Sequence, residues 1–286
     1  MVAKSLAICP DSEINRQVCA ALNEDLLFIG DLTGTLIEPN KTIIAAIKTN
    51  QDMVLCGINW ANQAFKLLDN TISITWNFKD GDYIKANETL CHISGNARKI
   101  LTAERTAINF LQTLSATATT TFEIVSLVKS TKVKIMDTRK TVPGLRLAQK
   151  YAVVVGGGYN QRNGLYDGVL IKENHIMSCG GITQALNQAN SMIAKEVSIQ
   201  IEVENFTEFK QALSAGATNI LLDNMSLGQV SECVKFNNTR AVLEISGGVN
   251  KENILKYAQT GVDRISVGAL TKNIKAIDLS LRVIQY

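Results

Sequence analysis

Histidine is almost missing from this 286-residue chain, which carries only His92 and His175. With two imidazoles and no Gly-x-Ser-x-Gly elbow, a hydrolase built on Ser, His and Asp has little support. The six cysteines, at 9, 19, 56, 91, 179 and 233, form no Cys-x-x-Cys pair. A zinc knuckle or a disulfide framework is therefore not indicated, and reduced, mostly buried thiols are expected. No apolar run approaches the ~20 residues that span a bilayer, and no basic stretch precedes an apolar segment at the start. A cytoplasmic protein without a membrane partner is expected. Charge is nearly balanced, 29 basic against 26 acidic residues, and no basic run is interleaved with aromatics, so no nucleic-acid partner is expected. What remains is ordinary for a folded core: 46% apolar and 19% charged residues.

From residue 130 onward, short Val- and Ile-rich runs alternate with helical patterns, the rhythm of βα units around a parallel sheet. The runs are 133–136, 168–171, 198–203, 219–222, 241–245 and 264–267. Helical spacing fills 183–195, 207–215, 227–236 and 251–259, with Gly216 and Gly261 as expected stops. Strands recur every ~20 to 25 residues, as in a (β/α) barrel. The first ~115 residues differ. Helical patterns are read at 13–23 and 41–45, a strand at 71–78, and a Lys79-Asp80-Gly81-Asp82 turn. They form a separate α+β domain, followed by a helix over 102–114 and a Ser/Thr-rich connection at 115–121.

The chemistry is concentrated between Asp137 and His175, where Arg139, Lys140, Arg146, Arg162 and Lys172 stand among turn-forming residues and beside the triple glycine 156–158. These cations lie at the ends of apolar runs, and glycine lets backbone approach a ligand. So many cations imply a polyanionic ligand, unless Asp137, Glu173 or Glu202 neutralises some of them. Each barrel run ends in a polar residue or glycine: Asp137, Lys172, Glu202 with Glu204, Asp223, Ser246, Gly268. In a barrel those positions ring the C-terminal mouth, where active sites form. Glu202 and Asp223 then hold Mg²⁺ or sugar hydroxyls, or else act as counter-ions for Lys140 or Lys172. Ser246-Gly247-Gly248 and Gly268 end the last two strands, where such barrels bind phosphate. His175 reads equally as a hydrogen-bonding residue or a catalytic one. The triple glycine is not a dinucleotide fingerprint, since no Gly-x-Gly-x-x-Gly joins a first strand to a helix.

The ordered motifs Gly30-Asp-Leu-Thr, Leu101-Thr-Ala-Glu-Arg-Thr, Asp137-Thr-Arg-Lys-Thr, Pro143-Gly-Leu-Arg, Leu170-Ile-Lys-Glu-Asn-His, Ile201-Glu-Val-Glu, Leu222-Asp-Asn-Met, Glu244-Ile-Ser-Gly-Gly and Ser266-Val-Gly-Ala-Leu run nearly end to end. On them the chain resembles the quinolinate phosphoribosyltransferases. The resemblance implies an α/β protein: an N-terminal α/β sandwich domain over 1–117 and an incomplete, seven-stranded α/β barrel over 118–271. Residues 272–286 are free to return to the first domain, although no pattern forces it. It further implies transfer of phosphoribosyl from phosphoribosyl pyrophosphate to quinolinate with Mg²⁺, giving nicotinate mononucleotide, pyrophosphate and CO₂ in NAD biosynthesis. A homodimer with shared sites is implied too. Arg139, Arg162 and Lys172 would hold the quinolinate carboxylates, with Arg105 of the partner subunit. Lys140 would lie between the substrates, and Glu202 and Asp223 at the ribose and the metal-linked pyrophosphate. Ser246, Gly247, Gly248 and Gly268 would bind the 5-phosphate.

Three positions depart from the family pattern. Gln161 stands where a histidine usually precedes Arg162, so no charge-carrying base is available there. Ala116 and Asn87 replace glycines. Two other readings stay open: a related barrel phosphoribosyltransferase with another acceptor, and a non-catalytic protein that binds a phosphate metabolite.

Overall fold

The computed structural model describes residues 9–286; the first eight residues of the expected N-terminal domain lie outside them. The described chain forms two compact units, one from residues 9–122, 141–157 and 270–286, the other from 123–140 and 158–269. Among the described residues no helix is long and apolar enough to cross a membrane.

The first unit is built on a four-stranded antiparallel sheet in the order Leu279–Gln285, Thr42–Thr49, Thr89–Asn96, Ser73–Trp76. Its centre is the segment read from sequence as partly helical. Residues 41–45 are instead the start of strand Thr42–Thr49, paired on both edges. The β-branched Thr42, Ile43, Ile44 and Ile47 suit a pleated surface, and neighbours on both sides override a weak 3.6-residue pattern. Helices Asp11–Leu26 and Ile58–Leu68 add Val18, Trp60 and Phe65 to the core, all at most 1% exposed. The turn at 79–82 forms as expected: Gly81 takes φ +97°, and the Lys79 N–H donates to Asp82 Oδ2 at 2.9 Å. Asn87, in place of a glycine, adopts φ +70°, a conformation that asparagine tolerates better than most residues.

The expected connection at 115–121 is interior to the helix Ala97–Leu127. Serine and threonine favour loops because their hydroxyls compete for backbone partners, but here those hydroxyls are occupied within the helix. Thr119 and Thr121 donate to the carbonyls of Ser115 and Thr117 at 2.7 and 2.8 Å, and Ser115 Oγ exchanges hydrogen bonds with Cys56. The triple glycine also has a structural use. A Cβ on Gly156 would stand 2.3 Å from the Ala118 carbonyl oxygen, so its bare backbone allows close packing on the long helix.

The second unit is a parallel sheet ordered Lys134–Met136, Arg264–Ser266, Val242–Ser246, Asn219–Asp223, Ile199–Val203, Val169–Ile171. All six runs read from sequence are strands. The expected seventh is reduced to one residue: Tyr159 bridges in parallel to Met136, with Tyr159 N–H to Ile135 O at 2.8 Å and Asp137 N–H to Tyr159 O at 3.0 Å. Two of the intervening helices, Phe206–Ser214 and Leu227–Asn237, start on side-chain caps, Asn205 accepting from Glu208 N–H at 3.0 Å and Ser226 from Gln229 N–H. Register pairs Leu221 with Glu202 on one side and Glu244 on the other, and Asp223 with Ser246. Because side chains alternate with period 2, this puts Glu202, Asp223, Glu244 and Ser246 on one face of the sheet.

Candidate active site

The C-terminal ends of the parallel strands gather most of the expected site residues within the second unit. Lys172 and Glu202, at the ends of adjacent strands, are joined by an ion pair at 2.6 Å. Of the two roles open for Glu202, the structure shows the counter-ion. Asp223 is half-buried and accepts from Asn224 Nδ2 at 2.7 Å. Next to it, Gly247 takes φ +89°, and a Cβ there would lie 2.1 Å from Asn224 Oδ1. Glycine is therefore required at Gly247, and the Ser246-Gly247-Gly248 turn is pressed against the end of the Asp223 strand, where Asn224 N–H donates to Ser246 O at 2.9 Å. The stem of Lys140 crosses Gly268, its Cδ 3.3 Å from where a Cβ would stand. Lys140 thus reaches the turn after the last parallel strand.

The loop carrying Gln161 and Arg162 is tied down by two carboxylates. Asp137, fully buried, accepts from Gln161 N–H at 2.8 Å and Asn160 Nδ2 at 2.7 Å. Asp167 accepts from the N–H groups of Asn163 and Gly164. Arg162 sends Nη1 to the Gly168 carbonyl at 3.0 Å. Burial, and then the charge of Arg139, hold the Arg162 guanidinium below its usual range, while Asp167 acts the other way. Two guanidiniums close enough to repel are costly together unless an anion lies between them.

The acidic flank behaves oppositely. Glu204 is pushed above the usual carboxylate range by Glu173, then by burial, Glu208, Asp223 and Glu202. A hollow of about 340 Å³ opens there, with Glu202, Glu204 and Glu208 over Ile176 and Ile182. Among the described residues no three His, Cys, Asp or Glu side chains are placed to hold a metal ion. Glu202 and Asp223 offer two hard oxygen donors on one face of the sheet, a set that suits an ion taking one or two carboxylates and its remaining ligands from elsewhere.

Some sequence candidates have other positions. Arg146 belongs to the first unit, where its Nε donates to Thr141 Oγ1 at 3.3 Å. Arg105 is also in the first unit, exposed on the helix Ala97–Leu127. His175 Nδ1 accepts the Lys172 N–H at 3.0 Å, so the imidazole closes the first turn of helix Glu173–Cys179 and holds the base of Lys172.

Residues 31–115 match the N-terminal domain pattern of quinolinate phosphoribosyl transferase, and residues 117–282 match its C-terminal domain. The chain belongs to the quinolinate phosphoribosyltransferase family. The probable nicotinate-nucleotide pyrophosphorylase (carboxylating) of Bacillus subtilis is 38% identical over 89% of this chain and 88% of its own. The chloroplastic nicotinate-nucleotide pyrophosphorylase (carboxylating) of Arabidopsis thaliana is 35% identical over 96% of this chain and 84% of its own. Among solved structures, the nicotinate-nucleotide pyrophosphorylase of Francisella tularensis superimposes with TM-score 0.93 at 46% identity, over 97% of this chain and 98% of that one. The family's activity is decarboxylating phosphoribosyl transfer to quinolinate in NAD biosynthesis, and this chain's activity is that one.

Proposed function

We propose that Arg139, Arg162 and Lys172 hold the two carboxylates of quinolinate, with Gln161 beside them. Lys140 stands between the substrates, and Ser246, Gly247, Gly248 and Gly268 take the 5-phosphate of phosphoribosyl pyrophosphate. The observation that carries this reading is the gathering of Lys140, Arg162 and Lys172 at the strand ends of the parallel unit, where the charge of Arg139 also bears on Arg162. A planar fork accepts a carboxylate in two parallel hydrogen bonds, and a dicarboxylate can engage both forks.

Quinolinate then presents its ring nitrogen to ribose C1. The N–C bond forms as the C–O bond to pyrophosphate breaks, the leaving oxygen keeping the electron pair. Glu202 and Asp223 contact the ribose hydroxyls and stabilise the positive charge that develops at C1. Release of Glu202 from Lys172 accompanies binding, since Lys172 exchanges its carboxylate partner for one on the substrate. In the second stage the bond to the carboxylate beside the nitrogen breaks, and its electrons remain on a ring carbon next to a cationic nitrogen. CO₂ leaves and a proton takes its place. Glu202 and Asp223 would hold magnesium, which would supply positive charge against the departing pyrophosphate.

The same reading includes a homodimer in which Arg105 of the partner subunit completes the quinolinate site. Its support is the apolar segment after the first helix, where Leu27, Phe28, Ile29, Leu32 and Leu36 are 62–94% exposed; such a patch is a common mark of an association surface. A cytoplasmic location is supported by six free cysteines, four of them buried. Calorimetric titration of quinolinate and nicotinate into the protein and into Arg162→Ala tests the anion assignment. Quinolinate binding that is lost in the variant is expected; equal binding to both proteins overturns it.

A further inference from the structure

Beneath the site, a run of polar side chains, buried along most of its length, crosses the face of the parallel sheet that also carries Glu202 and Asp223, and the function described above uses only its upper end. Gln161 Nε2 donates to Gln200 Oε1 at 2.7 Å, and Gln200 Nε2 donates to Glu244 Oε2 at 3.0 Å. The other carboxylate oxygen of Glu244, Oε1, accepts from Ser266 Oγ, while Arg264 Nη1 lies 3.9 Å from Oε2. Gln200 is 4% exposed and Glu244 is completely buried. At the upper end, Gln161 Oε1 accepts the Arg162 backbone N–H at 2.7 Å.

The order of donors and acceptors in this run is dictated from its lower end. Both oxygens of Glu244 act as acceptors, one for Ser266 Oγ and the other for Gln200 Nε2, so Gln200 turns its NH₂ downward and its carbonyl upward. The Gln200 carbonyl in turn obliges Gln161 to point its NH₂ downward. The Gln161 carbonyl is then left facing the Arg162 N–H. A reversed amide at Gln161 would set NH₂ against N–H, with no bond between them. We propose that Gln200 and Glu244 are positioning residues for the quinolinate site, fixing through their hydrogen-bond polarity the Gln161 amide and, through it, the backbone from which Arg162 reaches the substrate. Neither touches the reacting atoms. Both lie in strand interiors, Ile199–Val203 and Val242–Ser246, so the rigid sheet sets the orientation of a loop.

This inference rests on the assignment of Arg162 to quinolinate, and the test separates the two. Steady-state kinetics are measured for Gln200→Met, Gln161→Met, the double variant and Arg162→Ala, with each substrate varied in turn. Gln200→Met keeps the length of the side chain but can neither accept from Gln161 nor donate to Glu244. The expected result is a rise of about tenfold in KM for quinolinate, corresponding to ~1.4 kcal/mol, with KM for phosphoribosyl pyrophosphate within twofold of the parent. If Gln200 acts through Gln161, the double variant is no worse than Gln161→Met alone, because the single effects do not add. Additive losses, or equal rises in both KM values, would mean general loosening of the sheet and overturn the proposal. A quinolinate KM unchanged in Gln200→Met overturns it as well. An unchanged KM in Arg162→Ala overturns the site assignment instead. Should Gln200→Met fail to fold, Gln200→Asn, one methylene too short to span both partners, carries the same comparison with Gln161→Met.

Discussion

In the first unit, buried polar side chains act singly, each tying a backbone group or one aromatic side chain; on the parallel sheet of the second, they join in a run. Asp80 takes the N–H groups of Gly57 and Ile58 at the start of a helix, and Gln17 links the Trp60 indole to the Gly144 carbonyl, each within an otherwise apolar core. On the parallel sheet, Gln161, Gln200, Glu244 and Ser266 are joined side chain to side chain beneath a mouth crowded with ions. Such a run is costly to bury unless every member is satisfied, so its presence points to a demand other than stability. The first unit is organised to stay closed, and the second to hold charged groups at fixed angles. Substitutions should divide the same way, into losses of stability on one side and losses of substrate recognition on the other.

The sharpest division is expected at Arg139. Arg139→Ala should lower kcat/KM for quinolinate by about 30- to 1000-fold, ~2–4 kcal/mol of transition-state stabilisation, with little change in melting temperature. A wild-type rate would remove Arg139 from the site. The complementary case is Gly156→Ala in the first unit. A methyl group 2.3 Å from a backbone oxygen cannot be accommodated by a rotamer change, so the helices must separate. A loss of roughly 1–3 kcal/mol in urea unfolding is expected, with kcat/KM of the folded fraction retained. A variant as stable as the parent would show that the close contact is not required. Gly247→Ala lies on the other side of the division. Its Cβ would strike Asn224 Oδ1, and its φ of +89° disfavours any side chain, so KM for phosphoribosyl pyrophosphate should rise about tenfold while that for quinolinate moves less. A rise confined to quinolinate would reassign the turn.

The parallel unit was readable because its chemistry punctuates its pattern. Lys172, Glu202, Asp223 and Ser246 each close an apolar run, so strand ends could be placed within about a residue, and their shared face follows from period 2. Gln200 and Glu244 carried the same signal, being two residues before Glu202 and Ser246, but a polar residue inside a Val- and Ile-rich strand reads as noise until its partner is seen. The errors lie where tertiary context decides. Thr42–Thr49 is a strand because both its edges are paired, and 115–121 is helical because neighbouring carbonyls and Cys56 occupy the hydroxyls. The triple glycine resembled a ligand cradle, yet Gly156 serves the packing of one helix on another. Nothing local distinguishes these uses of glycine. Arg146 was grouped with the anion site by sequence proximity alone, although the chain crosses between units at residue 141.

The smallest effect expected is also the one that tests the closed character of the first unit by acid rather than by substrate. Burial raises the Asp80 carboxyl above its ordinary range, against hydrogen bonds from Tyr151 and from the Gly57 and Ile58 N–H groups that pull it down. A raised value means the folded protein binds this proton more tightly than the unfolded chain does. Asp80 therefore favours the folded state most below the ordinary carboxylate pKa of about 3.9, and that contribution is lost as pH rises through its higher folded value. Asp80→Asn removes the titration while keeping an acceptor for the helix start. The stability deficit of Asp80→Asn relative to the parent should then shrink as pH is raised from about 4 towards neutrality, in paired urea titrations. A deficit that grows over that interval would show that the carboxylate, not the neutral acid, is the form the first unit prefers, and Asp80 would belong with the charged groups of the second.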